Sequence, residues 1–419
     1  MMDIIVAHPG KQHSYRLASA LKKDGSLQYY VTTFYAKNSS KLISFIKKFL
    51  NEDDSKRLKT RNDKDLDDSE VVTFCKFGGL LEIFVNRFDK KRNFYRWLHR
   101  RVSDYFGMKT AKLAIYSHSD AIIAYDTNAL KCFDYLIKQK SDIVKILDVS
   151  IVPRPVMKKI YDLEITQSGC EKLKEKNRNL WDRHLMNRFQ KEIDFADYFL
   201  APSEFVSKSL QECGADKKKI RIVPYGANVE SNIIRRPIEA GALLQFLFVG
   251  NDFYRKGLPY LIKAMECFKD KAFLTITGSY DNKDPLVAKN MNKSYLRFTG
   301  LVTKERMQRI YEDADVFILP SFAEGMAQVG IEAMACGLPI ICTTNSGLSD
   351  MITNGVNGFV IEAGNVENLK EKMQWFLDHK KEIVKMGEKA RNVAKRYTWS
   401  RYEKKVAGAV HEIMSEKGK

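Results

Sequence analysis

The sequence predicts an α/β protein made of two doubly wound domains that face each other across a cleft. Three observations carry this. The chain has 419 residues, too long for one ordinary core and suited to two domains of roughly 200 residues each. Short apolar, β-branched or aromatic runs alternate with helical patterns, such as 258–268, in two separate series. Between the series, at 224–242, that pattern gives way to Pro, Gly, Asn and Arg.

The first series predicts strands at 3–8, 27–35, 120–126, 142–150 and 197–203. The second predicts strands at 243–250, 273–278, 296–300, 315–321, 339–344 and 358–363. Short buried strands separated by helices imply parallel sheets covered on both faces. In such sheets ligands sit outside the carboxyl ends of the strands, so two facing domains place the site between them.

Composition limits the class. Hydrophobic residues make up 44% and charged residues 29%, which is globular. The formal charge of +18 suggests a polyanionic partner or an anionic membrane surface, against the plainer reading of a basic cytoplasmic protein. The seven cysteines (Cys75, Cys132, Cys170, Cys213, Cys267, Cys336 and Cys342) form no C-x-x-C pair and read as reduced thiols. The start, MMDIIVAHPG, lacks the features of a signal peptide, and no apolar run of ~18 residues exists to span a membrane.

Residues 38–113 break the alternation. Leu42, Ile43, Phe45, Ile46, Phe49 and Leu50 alternate with Lys41, Lys47 and Lys48, as in a basic amphipathic helix. Further on, Phe94, Tyr95, Trp97, Leu98 and Tyr105 interleave with Lys90, Lys91, Arg92, Arg96, Arg100 and Arg101. Aromatic and basic residues together suit a lipid headgroup interface. A helix packed on its own domain with a solvated basic face, or a nucleic-acid surface, would show the same composition. The membrane surface is the preferred reading, and no recognition motif for nucleic acid is present.

The chemistry concentrates at 324–347, EGMAQVGIEAMACGLPIICTTNSG. After the strand at 315–321 the chain must turn at 322–325, and 326–336 has helical composition that Gly337 and Pro339 stop. A helix starting at a strand's carboxyl end directs unpaired N–H groups and the positive end of its dipole into the cleft, which suits a phosphate. Gly325 allows close approach. Glu324 lies just before the helix. Glu332, in its second turn, can accept two hydrogen bonds from a vicinal diol such as a ribose. Two glutamates at this spacing are a weak signal alone, but their context is specific.

Residues 314–361 resemble the retaining nucleotide-sugar glycosyltransferases of family four, whose fold is GT-B, two facing Rossmann-like domains. The glutamate, seven residues, glutamate pattern is that family's signature. ADYFLAPSEFVSKSL (196–210), KIRIVPYGANVE (219–230) and FVGNDFYRKGLPYLIKAM (248–265) match as well. The resemblance covers about 196–400, and residues 1–195 match in layout only. It implies an acceptor-side domain over 1–225, a nucleotide-sugar domain over 240–396, and a C-terminal helix, 397–419, packing back on the first domain.

Carried over residue by residue, the resemblance gives Glu324 contacts to donor-sugar hydroxyls near the reacting carbon. Glu332 would hold the ribose, and the backbone of Gly325, Met326 and Ala327 would face sugar and diphosphate. Lys256 would balance charge on the departing diphosphate. The family usually has an arginine directly after the glycine of this domain's first strand. Here Gly250 is followed by Asn251, and Arg255 is the candidate replacement. Leu301 and Val302 would lie near the base. In the first domain, Gly10 corresponds to a glycine-rich loop near the diphosphate, with Lys11, Gln12, His13 and Ser14 at a helix start. Lys11 and His13 are candidate acceptor contacts, although His13 fits a helix-capping or core role equally well.

Many members carry a cleft histidine after a middle strand of the first domain. The corresponding turns here, AYDTNAL and LDVSIVPRP, have none, and Asp126 and Asp148 stand at those strand ends. An aspartate there would position an acceptor hydroxyl or take its proton. The expected reaction is hexosyl transfer with retention by front-face substitution, from a UDP- or GDP-sugar to a glycan or lipid-linked acceptor, in bacterial surface polysaccharide synthesis. The expected location is cytoplasmic and peripheral, on the inner face of the plasma membrane. No cofactor or metal is expected: the D-x-D pairs Asp63/Asp65, Asp65/Asp67 and Asp313/Asp315 read as surface. Another GT-B enzyme, a phosphorylase or epimerase, and a nucleic-acid-binding protein are the alternatives.

Overall fold

The computed structural model describes residues 2–10, 12–35, 62–89, 93–239 and 241–417. The first sheet holds β1 (Ile4–Ala7), β2 (Leu27–Thr32), β3 (Val71–Thr73), β4 (Ala121–Tyr125), β5 (Val144–Asp148), β6 (Tyr198–Ala201) and β7 (Ile220–Ile222). Their order is β3-β2-β1-β4-β5-β6-β7. The second sheet holds β8 (Leu244–Val249), β9 (Ala272–Thr277), β10 (Leu296–Gly300), β11 (Val316–Leu319), β12 (Ile340–Thr343) and β13 (Gly358–Ile361), in the order β10-β9-β8-β11-β12-β13. Every neighbouring pair is parallel. Strand order reverses between β1 and β4, and again between β8 and β11, so each sheet opens a crevice at those carboxyl ends.

The strands read as near-continuous apolar runs because helices cover both faces. Ile4, Ile5 and Val6 of β1 and Val316, Phe317, Ile318 and Leu319 of β11 are fully buried. β3 and β7 went unpredicted. Each is a three-residue edge strand with one buried position, too short to show a period.

The helix Trp399–Lys417 lies on the first domain's helix Ser14–Asp24. Glu403 pairs with Lys23 at 2.9 Å, His411 with Asp24 at 2.8 Å, and the Arg16 guanidinium sits 5.2 Å from the Trp399 ring centre. The linker before β8 is pinned rather than loose. Arg235 donates to the carbonyls of Tyr311, Glu312, Ala314 and Cys336, at the ends of the helices Lys304–Asp313 and Gln328–Ala335. A guanidinium there satisfies carbonyls that a helix end leaves open.

The basic-aromatic segment is the helix Asn93–Tyr116. Leu98, Val102 and Phe106 are buried, while Phe94, Trp97 and Tyr105 are about half exposed. The amphipathic pattern at 41–50, the residues Lys90, Lys91 and Arg92, and Lys11 lie outside the described residues. All seven cysteines are free thiols. Among the described residues no helix is long and apolar enough to cross a membrane.

Candidate active site

The site forms where β8 and β11, neighbours at the second sheet's switch point, release their chains. Two turns interlock there. The Arg255 carbonyl accepts from Phe322 N at 2.9 Å, and Glu324 N donates to the Asn345 carbonyl at 3.0 Å. These bonds fix the turn carrying Glu324 from both sides. Its carboxylate oxygen Oε2 then takes Lys256 Nζ at 2.8 Å and Arg255 Nη1 at 2.9 Å. Arg255 also donates to the Ala323 carbonyl at 2.8 Å and pairs with Asp252 at 3.3 Å.

Burial would raise the Glu324 carboxyl, but Lys256 and Arg255 outweigh it and hold the group below its usual range. Arg255 is held even more firmly in its charged form: burial opposes the charge, and Glu324 and Asp252 restore it. Two cations thus converge on one carboxylate at the cleft.

Gly250 explains how the lysine fits. A β-carbon at this position would lie 2.1 Å from Lys256 Cδ, so the absence of a side chain makes the channel for the lysine stem. Asn251 is exposed at the end of β8, and its Oδ1 accepts from Ser279 N at 2.9 Å.

Gly325 is tight for a different reason. A β-carbon there would lie 2.2 Å from the Ser150 carbonyl oxygen of the first domain. The room this glycine leaves is therefore taken by the opposing domain's backbone. Met326 and Ala327 are buried. The following helix, Gln328–Ala335, starts two residues later than predicted, and its N-cap, Ala327, provides no side-chain cap. Ser203, Thr303 and Asn365 cap other helices of this chain. Here the first-turn N–H groups and the helix dipole face the cleft without a side-chain acceptor.

Glu332 lies in that helix's second turn. Burial pushes its carboxyl up, and the Tyr311 hydroxyl, 3.3 Å away, works against the shift. Leu301 and Val302 follow β10, two strands along the same sheet end; Leu301 is 68% exposed.

The first domain brings its candidates together differently. His13 Nε2 meets Asp148 Oδ2 at 3.2 Å, with 8% and 4% of their side chains exposed. The imidazole packs 4.2 Å from the Tyr225 ring and 5.1 Å from the Tyr125 ring. The His13 ring is thus largely covered and paired with Asp148; the residue stands before the helix Ser14–Asp24 and makes no side-chain cap. Gly10 N donates to His8 Nδ1 at 2.8 Å. Asp126 accepts from Ser150 N at 3.3 Å, and burial raises its carboxyl while Arg154 lowers it. Ser150 Oγ reaches Gln12 Oε1 at 3.3 Å, so one loop touches both the opening turn and Gly325.

Several residues here escaped sequence reading. Tyr161 and Glu164 lie on the helix Arg154–Ser168, and both are buried. The Tyr161 hydroxyl has no hydrogen-bond partner among the described residues, and its surroundings include Arg255 and Glu324. Glu164 Oε2 stands 3.0 Å from where a β-carbon of Gly364 would be. Nothing local marks them, because their neighbours come from the other domain. The D-x-D reading needs one correction. Asp315 is half-buried and braces β8 to β11 through Gln245 N at 2.8 Å, at the strand ends away from the cleft. Among the described residues no cluster of His, Cys, Asp and Glu could hold a metal.

A solved Anabaena protein in complex with UDP-glucose superposes on 98% of this chain and 100% of its own, with a TM-score of 0.60 at 14% identity. The fold is GT-B. Residues 231–393, which hold the Glu324 half of this GT-B cleft, match the family model described as glycosyl transferases group 1. An uncharacterized glycosyltransferase of Methanocaldococcus jannaschii is 28% identical over 53% of the chain and 61% of its own length. The N,N'-diacetylbacillosaminyl-diphospho-undecaprenol alpha-1,3-N-acetylgalactosaminyltransferase of Campylobacter jejuni is 24% identical over 51% of the chain and 60% of its own length. The matches thus span about three fifths of these curated relatives.

Proposed function

We propose that this GT-B protein is a retaining glycosyltransferase of family four that moves a hexosyl group from a nucleotide-diphosphate sugar to an acceptor hydroxyl. The observation that carries the reading is the convergence of Arg255 and Lys256 on Glu324 beside an uncapped helix start. A bound diphosphate would meet two cations and the helix dipole, while Glu324 would accept from sugar hydroxyls. The anomeric carbon–oxygen bond to the diphosphate breaks, and the acceptor oxygen bonds to that carbon on the same face. The acceptor proton passes to a diphosphate oxygen. Lys256 and Arg255 stabilise the departing charge, and positioning supplies the rest. Glu332 would bind the ribose, Leu301 and Val302 would lie by the base, and Asp126 would orient the acceptor. The UDP-glucose bound to the Anabaena protein supports a nucleotide-sugar donor, and the diphospho-undecaprenol in the name of the Campylobacter transferase supports a lipid-linked acceptor.

The exposed aromatics Phe77, Phe88, Phe94 and Trp97, among basic residues, support docking at an anionic membrane surface. That placement fits surface polysaccharide synthesis on the inner face of a plasma membrane.

The test is release of free UDP or GDP from a panel of nucleotide sugars, by wild type and Glu324→Ala, with and without bacterial lipid extract. Turnover of one donor, lost in the variant, is expected. No turnover and no binding of either nucleotide would overturn the reading.

A further inference from the structure

A cavity of about 490 Å³, whose lining does not include Glu324, opens in the first domain between the helices Asn93–Tyr116 and Arg183–Phe195. Arg96, Arg100, Arg154, Arg188 and Lys176 line it. Two of these cations already have carboxylate partners: Arg188 meets Asp104 at 2.5 Å and Lys176 meets Asp284 of the second domain at 3.1 Å. The lining carboxylate, Asp182, is engaged too, accepting from His184 N at 2.9 Å and Leu185 N at 3.1 Å as a helix cap. Among the described residues no carboxylate lies within ion-pair distance of Arg96, Arg100 or Arg154, although Arg154 is close enough to Asp126 to lower its carboxyl.

Three guanidiniums around one concavity repel one another unless an anion joins them. The planar fork of arginine matches a phosphate with two parallel bonds. Rings complete the wall: Tyr95 stacks on His99 with centres 5.7 Å apart, and Arg154 lies 5.8 Å from the Phe189 ring centre. Trp97, also lining the cavity, is half exposed and stacks on Phe94 at 5.7 Å, which joins the cavity to the exposed aromatic face. Thr127, directly after Asp126, forms part of the same wall.

We propose that this cavity binds a phosphate-bearing group of the acceptor through Arg96, Arg100 and Arg154. The assignment to an acceptor rests on the transferase reading above. It makes the acceptor's anionic group the handle, with its hydroxyl offered at the Asp126 side of the cavity.

The experiment is calorimetric titration of sodium pyrophosphate into the whole chain at low ionic strength. Wild type is expected to show two sites, one here and one at Lys256. The double variant Arg96→Ala/Arg100→Ala, both on a helix surface, should weaken one site at least tenfold and leave the other; Lys256→Ala should do the reverse. If the double variant binds as wild type does, the proposal is overturned while the donor reading stands. If Lys256→Ala alone changes nothing, the donor subsite is wrong and the anion site remains. Competition then identifies the source. Displacement by phosphatidylcholine vesicles containing phosphatidylglycerol supports a lipid headgroup, and displacement by glucose 6-phosphate supports a soluble phosphorylated sugar. Displacement by neither overturns the assignment to an acceptor.

Discussion

The two sheets share one strand order around their switch points, yet they use those positions in opposite ways. At β8 and β11 the carboxylate of Glu324 is held by two cations beside a helix start with no side-chain cap. After β1, at the first sheet's switch point, and at the end of β5, one strand beyond it, the pair His13–Asp148 is closed in by tyrosines. Both sets of side chains are largely covered, but one stands beside a helix start that has no side-chain cap, while the other packs against rings of its own domain. The same topology therefore does not say which half carries chemistry; the surroundings of the charges do.

The strongest way to break this comparison is to remove one member from each side. Glu324→Ala is expected to lower kcat/KM for sugar transfer about 1,000-fold, roughly 4 kcal/mol of transition-state stabilisation. Folding should change less, since Arg255 keeps Asp252 and the Ala323 carbonyl. His13→Ala should do the opposite, lowering stability by about 3 kcal/mol through an unpaired buried Asp148 and a void against Tyr225. Denaturant melts alongside donor turnover separate the two. A His13→Ala enzyme that folds normally and loses transfer would mean the first crevice is chemical after all.

A finer test uses the lysine channel. Gly250→Ala places a methyl group where Lys256 Cδ runs. The lysine must then leave Glu324, and turnover is expected to fall about tenfold. Unaltered turnover would remove Lys256 from the reaction. In the first domain, Asp126→Asn should slow transfer several-fold more than Asp148→Asn, because Asp148 is committed to His13. If both retain wild-type rates, neither aspartate handles the acceptor.

The sequence showed one half of this site far better than the other. Eleven of the strands announce themselves as apolar runs, and the second domain's residues sit in three short segments, 250–256, 301–302 and 324–332. The first domain's arrangement has no such compactness. Asp148 meets His13 from 135 positions away, and Tyr225 arrives from the linker. The cavity arginines come from three helices, and only Arg96 and Arg100 share one. Gly325 illustrates the same limit: its need for space was legible, but its neighbour, Ser150, was not. Local pattern reports what a segment needs, and tertiary packing decides what meets it.

The change expected to touch turnover least concerns how the first crevice is braced. Glu192 is buried and accepts from Thr127 N at 2.7 Å and Leu130 N at 3.1 Å, holding the turn that follows Asp126. Burial pushes its carboxyl up to about 8, against these two backbone bonds. A carboxyl raised in the folded state binds its proton more tightly there than in the unfolded chain. Its contribution to stability is therefore largest in acid and declines as pH rises from the ordinary glutamate range towards 8, by at most about 1.4 kcal/mol per pH unit. Glu192→Gln cannot ionise, so its melting temperature should fall less than that of wild type between pH 5 and pH 8. Parallel curves for the two proteins would show that the carboxylate is as well held charged as neutral. The turn would then be braced like the Glu324 turn, by charge, and the contrast between the two crevices would narrow to His13 and Asp148.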